Sequence, residues 1–373
     1  MNPIFAGRKT PFYTYDSKVL GNTLDAVSRE LGQRPLWKVH YAVKACFNPA
    51  VLSFIASRGF GADCVSGWEI SAAIRAGFPP RDIVFAGVGK SDGEIELGLT
   101  EGIGRYNVES VEELRVISEI AASLGKVAPV ALRVNPDIGA HTHANITTGL
   151  SENKFGIHKL LLPYAVRLAL ELPGVEFRGL HFHIGSQITD MGDFVALGNR
   201  INEIVAQLGR QGLPSGDINV GGGLGVDYAN PSAMPDFAGY FGLWKRLLPP
   251  SVPVHFELGR SLVAQCGSLV SRVLYVKEGL TKHFAVLDAG MTDLIRPALY
   301  HAVHKVENLT SALEPVKYDV VGPVCESSDV FSRGVILPEC RRGDLVALRS
   351  AGAYGESMAS GYNCRPLPQG YLD

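Results

Sequence analysis

The sequence has no Cys-x-x-Cys pair, no block of like charges, and no apolar run long enough to cross a bilayer. Its six cysteines, at positions 46, 64, 266, 325, 340 and 364, are scattered. That excludes the ligand spacing of a zinc ribbon and the density of a disulfide-stapled scaffold. Lys plus Arg number 35 and Asp plus Glu 37, for a net charge of −2, so neither a nucleic-acid surface nor a polybasic membrane patch is expected. The opening MNPIFAGRKTPFYTYD lacks a signal-peptide apolar core, and a reduced, cytoplasmic enzyme is the expectation. Internal repeats and low-complexity linkers are missing as well.

What is present is the composition of a large folded chain: 373 residues, 46% hydrophobic and 19% charged, enough for one large domain and a smaller one. Short β-rich runs alternate with longer helix-like segments over residues 30–260. Eight strand candidates stand out: KVHYAV, GADCVS, DIVFAG, GRYNVE, VALRVN, RGLHFHI, DINVGG and VHFEL. Between them lie stretches such as SVEELRVISEIAASLG and FVALGNRINEIVAQLGRQG, each closing on a glycine suited to a helix C-terminus. Eight βα units predict a closed (β/α)8 TIM-like barrel, placed at 27–261. Beyond it, SLVSRVLYVKEG, KHFAVLDAG, VKYDVVGPV and GDLVALRSAG read as strands without regular intervening helices. A second, mostly β domain of 1–26 and 262–373 follows, with the strand-like PFYTYD able to join it.

In such a barrel, chemistry gathers where the strands end and the βα loops converge. Lys44, Asp63, Arg133, His183, Gly221 to Gly223, Glu257 and Arg260 all fall at such places. A strand-end lysine is ordinarily a solvated one; held in a pocket, it can form a Schiff base with an aldehyde cofactor. NVGGGLG offers backbone N–H groups to an anion, although glycines also serve tight turns. ELGR brings together a carboxylate and a guanidinium, as a local ion pair or as partners of a pyridine nitrogen and an anion. GVGKS imitates a phosphate-binding loop, but that motif needs glycine at 84, which is Val84. The pairs His141/His143 and His181/His183 suit a metal hydrolase but bring no carboxylate-rich partner set. Stacking on a ring is the better use for His183, and burial with a hydrogen bond for His181. Cys325 and Glu326 sit together in a Gly/Pro-bounded loop, either an acid beside a substrate anchor or a buried small residue. Arg296 and Tyr300, four apart, suit a carboxylate. Tyr354 lies among glycines in an exposed-looking turn.

Taken in order, YAVKA, HANITTGLSENKFGI, GLHFHIGSQ, NVGGGLG, ELGRS, DAGMTDLIRPALY, GPVCESSD and GAYGESMAS resemble the fold-type III pyridoxal-phosphate-dependent decarboxylases over essentially the whole chain. Within that family, the diaminopimelate-specific enzymes are the most similar. The resemblance implies an alanine racemase-like architecture. It also implies pyridoxal 5'-phosphate carried on Lys44, with Asp63, His183, Ser186, Gly222, Gly223, Glu257, Gly259, Arg260 and Tyr354 around it. Arg260, Arg296, Tyr300, Glu326 and Tyr354 match substrate-contacting positions, and Cys325 the general acid. In the family, Cys325 and Glu326 come from the neighbouring subunit, so a homodimer with shared active sites is implied. Leu258, where the family often has proline, and Glu356, where it has a hydrophobic residue, depart from the pattern.

Alanine racemases put an arginine at the pyridine nitrogen, so Glu257 argues for decarboxylation. A decarboxylase of ornithine or lysine sees only a distal ammonium and needs acidic partners. Arg296 and Tyr300 for a carboxylate, with Glu326 for an amine, instead read a second amino-acid head, as in meso-diaminopimelate. The alternatives are a decarboxylase of another substrate with a distal carboxylate, a metal-dependent barrel hydrolase, and a non-catalytic relative.

Overall fold

Alternating apolar residues become strands and Ser- or Asp-capped amphipathic segments become helices along most of the chain. The computed structural model describes residues 5, 7–138 and 154–373. It opens with β1 (Phe12–Tyr15) and α1 (Ser17–Leu31). There follow β2 (Trp37–Ala42), α2 (Pro49–Ala56), β3 (Gly61–Cys64), α3 (Gly67–Ala76), β4 (Ile83–Phe85), α4 (Asp92–Glu101), β5 (Arg105–Val108), α5 (Val111–Ser123) and β6 (Ala128–Asn135). Then come β7 (Ile157–His158), α6 (Leu162–Glu171), β8 (Val175–His181), α7 (Met191–Arg210), β9 (Asp217–Asn219), α8 (Phe237–Leu247) and β10 (Val254–Leu258). His141, His143 and most of HANITTGLSENKFGI lie outside the described residues.

Helix starts follow local chemistry. Ser66, Ser110 and Asp236 each accept a backbone N–H from the first turn of α3, α5 and α8. Past the ends of α5 and α7, Gly125 and Gly212 take φ of 64° and 69°, which only glycine adopts at little cost.

Every strand pairing in this unit is parallel. The ladder runs β5-β4-β3-β2-β10-β9-β8-β6, and an additional β5–β6 pairing closes it into an eight-stranded barrel; β7 adds a two-residue flank to β6. All eight strand candidates have their counterpart here. Alternation along β10 divides inside from outside. Phe256 packs on Trp37 and Phe241, with ring centroids 5.2 and 4.9 Å away, whereas the next residue, Glu257, bonds to side chains of β5, β8 and β9.

The second unit continues with α9 (Arg260–Val263), β11 (Gly267–Glu278), β12 (His283–Leu287), α10 (Arg296–Tyr300), β13 (Val306–Asn308), β14 (Pro315–Val321), β15 (Val330–Pro338), β16 (Leu345–Leu348) and β17 (Gln369–Leu372). Its sheet runs β13-β16-β11-β12-β14-β15, and β1 pairs with β11 and β17. PFYTYD therefore does join the β-rich part, whereas β13, β15 and β17 were not among the strands read from the sequence.

By internal contacts the barrel unit is Leu24–Gly225 with Asp236–Gly259, and the β-rich unit is Met1–Thr23 with Val226–Pro235 and Arg260–Asp373. An unbroken barrel over 27–261 is thus interrupted. Residues 226–235 go with the β-rich unit because Tyr228 takes hydrogen bonds from Arg260 and Arg296 and the Ala233 carbonyl takes one from Gln265.

Phe256→Ala is expected to lower the stability of the barrel unit by about 3–5 kcal/mol, the usual cost of emptying a large aromatic site. A urea unfolding curve followed by Trp37 and Trp244 fluorescence measures it; a shift well under 1 kcal/mol would mean that this cluster does not hold the barrel wall.

Candidate active site

Lys44 does not end a strand. β2 stops at Ala42, and Lys44 occupies a one-turn 3-10 helix, Val43–Ala45, closed by a bond from Cys46 N–H to the Val43 carbonyl. Buried Val43 and Ala45 anchor that turn on either side and leave the Lys44 side chain 40% exposed. Its Nζ lies 3.3 Å from Asp63 Oδ2, at the end of β3. The Asp63 side chain is fully buried, and its Oδ1 has no hydrogen-bond partner among the described residues.

Glu257 is held by three donors from three strands. Asn107 Nδ2 and Asn219 Nδ2 donate to Oε1 at 2.8 and 2.7 Å, and His181 Nε2 lies 2.9 Å from Oε2. Burial would raise this carboxyl. The neighbouring His181, the hydrogen bond from it, and the Lys44 charge outweigh burial and hold it well below the ordinary carboxylate range. His181 is therefore the buried, hydrogen-bonded histidine expected of it, and Glu257 is committed to these partners rather than to a local pair with Arg260. The two asparagines escaped the sequence reading. Their signal was present: each is an amide between two apolar residues at a strand end, in Tyr106-Asn107-Val108 and Ile218-Asn219-Val220.

His183, two residues beyond β8, accepts the Gly222 N–H on Nδ1 at 3.2 Å. Burial first, then the Arg133 and Lys44 charges, push it well below the ordinary histidine value, so the ring is neutral with its proton on Nε2. In NVGGGLG, the Gly221 N–H bonds to Asn219 Oδ1 and the Gly225 N–H to the Ile188 carbonyl. At least three of these N–H groups thus serve the protein itself. A Cβ at Gly222 would stand 1.9 Å from the Glu257 carbonyl, so close strand approach alone demands glycine there. Gly259 packs against Ala42 and Ala45, on either side of the Lys44 turn. Ser186 is partly buried in the loop after β8.

In the β-rich unit two arginines meet one phenol. Arg260 Nη1 and Arg296 Nη1 both donate to the Tyr228 hydroxyl, at 2.6 and 2.7 Å. The Arg260 guanidinium lies 4.8 Å from the Tyr354 ring centroid; Tyr354 itself has φ 57°, a conformation unusual outside glycine. Arg296 is 4% exposed, and its Nε lacks a hydrogen-bond partner among the described residues. Its Nη1 also lies 3.1 Å from His304 Nε2. Because His304 Nδ1 faces the Arg349 carbonyl, which only accepts, Nε2 is the bare nitrogen and takes the Arg296 proton. Burial and the Arg296 charge push His304 down to about 3, consistent with a neutral ring. Tyr300, one turn from Arg296 on α10, is partly exposed.

Cys325 and Glu326 lie on an exposed loop, with Tyr362 donating to Glu326 Oε1 at 3.0 Å. Asp329 pins that loop by accepting the N–H groups of Met291 and Val324. Glu356 accepts from the Tyr15 hydroxyl at 2.6 Å. Among the described residues, no three His, Cys, Asp or Glu side chains come together as metal ligands, and no helix is long and apolar enough to cross a membrane.

The family model described as "Pyridoxal-dependent decarboxylase, pyridoxal binding domain" matches residues 21–264. The diaminopimelate decarboxylase of Bacteroides thetaiotaomicron is 61% identical over 372 residues, 98% of this chain and 96% of that protein. Its counterpart in Zymomonas mobilis is 43% identical over 362 residues, covering 96% and 86%. The crystal structure of diaminopimelate decarboxylase from Helicobacter pylori, complexed with L-lysine, superposes with a TM-score of 0.93 at 41% identity, covering 99% of this chain and 93% of that one. The barrel residues fit the coenzyme that this family uses. They offer a partly exposed amine, a neutral imidazole and a fixed carboxylate anion. Buried Asp63 Oδ1 and His181 Nδ1 have no hydrogen-bond partner among the described residues. The chain belongs to the pyridoxal-dependent decarboxylases, in the diaminopimelate decarboxylase family.

Proposed function

We propose that this protein decarboxylates meso-2,6-diaminopimelate to L-lysine and carbon dioxide, the last step of lysine formation, using pyridoxal 5'-phosphate held on Lys44. The observation that carries the reading is the Glu257 carboxylate, fixed as an anion by three buried partners in the same barrel as a partly exposed lysine. Bound pyridoxal phosphate supplies an electron sink for the electron pair left when the carboxylate departs. Glu257 would hold a proton on the ring nitrogen of the bound coenzyme, since a negative neighbour favours the charged form of a base. His183 would lie against the coenzyme, and Asp63, Ser186, Gly222, Gly223, Gly259, Arg260 and Tyr354 would complete the set of residues that hold it.

Substrate identity rests on Arg296. A buried guanidinium with no carboxylate partner among the described residues is costly unless an anion arrives, and burial lowers its pKa, as such an unpaired charge requires. Arg296, with Tyr300 and Arg260, is assigned the distal carboxylate, and Glu326 the distal ammonium. Cys325 is assigned the proton delivered to the reacting carbon. Because Cys325 and Glu326 sit exposed on a pinned loop, we assign them to a partner subunit's site in a homodimer. The barrel carries the coenzyme, and the β-rich unit carries substrate recognition and the dimer contacts. None of the six cysteines is in a disulfide, which suits the cytoplasm.

Incubation with meso-diaminopimelate is expected to release lysine and carbon dioxide, and only with pyridoxal phosphate present. Borohydride reduction followed by peptide mapping is expected to place the label on Lys44. A label on another lysine, or none in active protein, would remove the assignment. Arg296→Ala is expected to raise KM for diaminopimelate by about 3 kcal/mol, roughly 100-fold, with far less effect on coenzyme binding; an unchanged KM would sink the substrate assignment.

Burial, opposed by Lys44 and reinforced by Glu257 and Glu69, pushes Asp63 up to about 7. Between the ordinary carboxylate range and about 7, the folded coenzyme-free protein then holds a proton that the unfolded chain lacks. This group's contribution to stability accordingly falls as pH rises through that window. In Asp63→Asn the fall is expected to disappear, leaving the variant relatively more stable at alkaline than at acid pH in urea titrations. A pH dependence left unchanged by the substitution would show Asp63 to be ionised throughout that window.

A further inference from the structure

Lys90, the lysine of GVGKS, has a side chain only 1% exposed. Its Nζ donates to the Gly87 carbonyl at 2.9 Å, the Asn107 carbonyl at 2.8 Å and Glu113 Oε1 at 2.6 Å. All three ammonium protons are used. Glu113, on α5, accepts the Glu109 N–H on its other oxygen at 2.6 Å. One buried ion pair therefore grips the end of β5 and the residue beyond it, through the carbonyl of Asn107 and the N–H of Glu109.

The side chains of those two residues both serve the barrel interior. Asn107 donates to Glu257 Oε1 at 2.8 Å. Glu109 receives Arg133 Nη1 at 2.5 Å and the Gly156 N–H at 2.8 Å, and the Arg133 guanidinium lies 4.6 Å from the Phe155 ring centroid. A buried ion pair adds little net stability over an apolar pair of similar size. What this one adds is direction, because an ammonium saturated by two carbonyls and a carboxylate leaves the strand end one position.

We propose that Lys90 and Glu113 are a positioning pair for the reaction, acting through Asn107 to hold the Glu257 carboxylate in place. The proposal rests on the reading of Glu257 as the partner of the coenzyme ring nitrogen. Neither residue touches the reacting groups, and their effect passes through the backbone of β5.

The test is the double variant Lys90→Met/Glu113→Gln, which removes both charges together. In a crystal structure of the coenzyme-free variant, Asn107 Nδ2 is expected to leave hydrogen-bond reach of Glu257 Oε1 while the barrel stays closed. In the holoenzyme, kcat is expected to fall about 10- to 100-fold with KM for diaminopimelate within about twofold. The pH midpoint of the coenzyme absorption band is expected to shift, a change that general destabilisation does not produce. Adding Asn107→Ala to the double variant is expected to cost no more than Asn107→Ala alone, since both act on one contact. An Asn107 amide that stays on Glu257, or losses that multiply, would overturn the proposal. If the double variant does not fold, Lys90→Arg keeps the charge, alters the reach and carries the same readouts. A wild-type protein that forms no borohydride-stable adduct at Lys44 would defeat the proposed function, while the coenzyme-free crystal structure would still decide the clamp.

Discussion

An ionised carboxylate inside a barrel persists only where each oxygen is hydrogen-bonded, and Glu257 meets that demand with residues of β5, β8 and β9. Closure of the sheet makes this possible. Along the open ladder β5 and β10 are separated by β4, β3 and β2, four spacings or ~19 Å at ~4.8 Å each. In the closed barrel the Asn107 amide reaches across to Glu257 at 2.8 Å. The anion thus depends on the fold as a whole rather than on its own neighbourhood, and the clamp at the end of β5 is part of the same dependence.

The polarity extends deeper than one layer. Two residues before Glu257, Asn219 and Asn107 on the same strands stand His255, Asp217 and Arg105. Arg105 Nη2 lies 2.6 Å from Asp217 Oδ2, and His40 Nε2 lies 2.9 Å from His255 Nδ1. His40 Nδ1 faces the Asp82 carbonyl and must carry a proton, so His40 Nε2 accepts from His255. Burial and the neighbouring His255 push His40 down to about 3, in keeping with a neutral ring. Many barrels of this kind fill their interior with branched apolar residues. Here hydrogen-bonded side chains occupy that space, and each is placed by a partner on another strand.

The β-rich unit solves a different problem, how to keep guanidinium groups buried and available. Arg260 and Arg296 share a phenol that spends no negative charge on them, and His304 offers Arg296 a neutral nitrogen. Among the described residues, neutral acceptors orient Arg296 without cancelling its charge, which leaves it able to receive an anion. Tyr228, the centre of this arrangement, sits in the 226–235 segment that the chain lends to this unit from between two barrel elements.

Periodicity and end signals are local, and they sufficed for the eight barrel strands, the helices between them and the β-rich second part. What the linear pattern could not carry was pairing. The stop of β2 at Ala42, one residue before the apolar run ends, follows from the turn that Val43 and Ala45 bury. Strands β13, β15 and β17 are short or irregular in pattern and become strands only through their neighbours. Asn107 and Asn219 read as ordinary amides until closure sets them against Glu257, and Lys90 reads as a failed phosphate loop until Asn107 and Glu113 surround it. The amino-acid order by itself determined which residues could do chemistry. The tertiary structure decided which of them meet, because a hydrogen bond between residues 150 positions apart exists only once the sheet has closed.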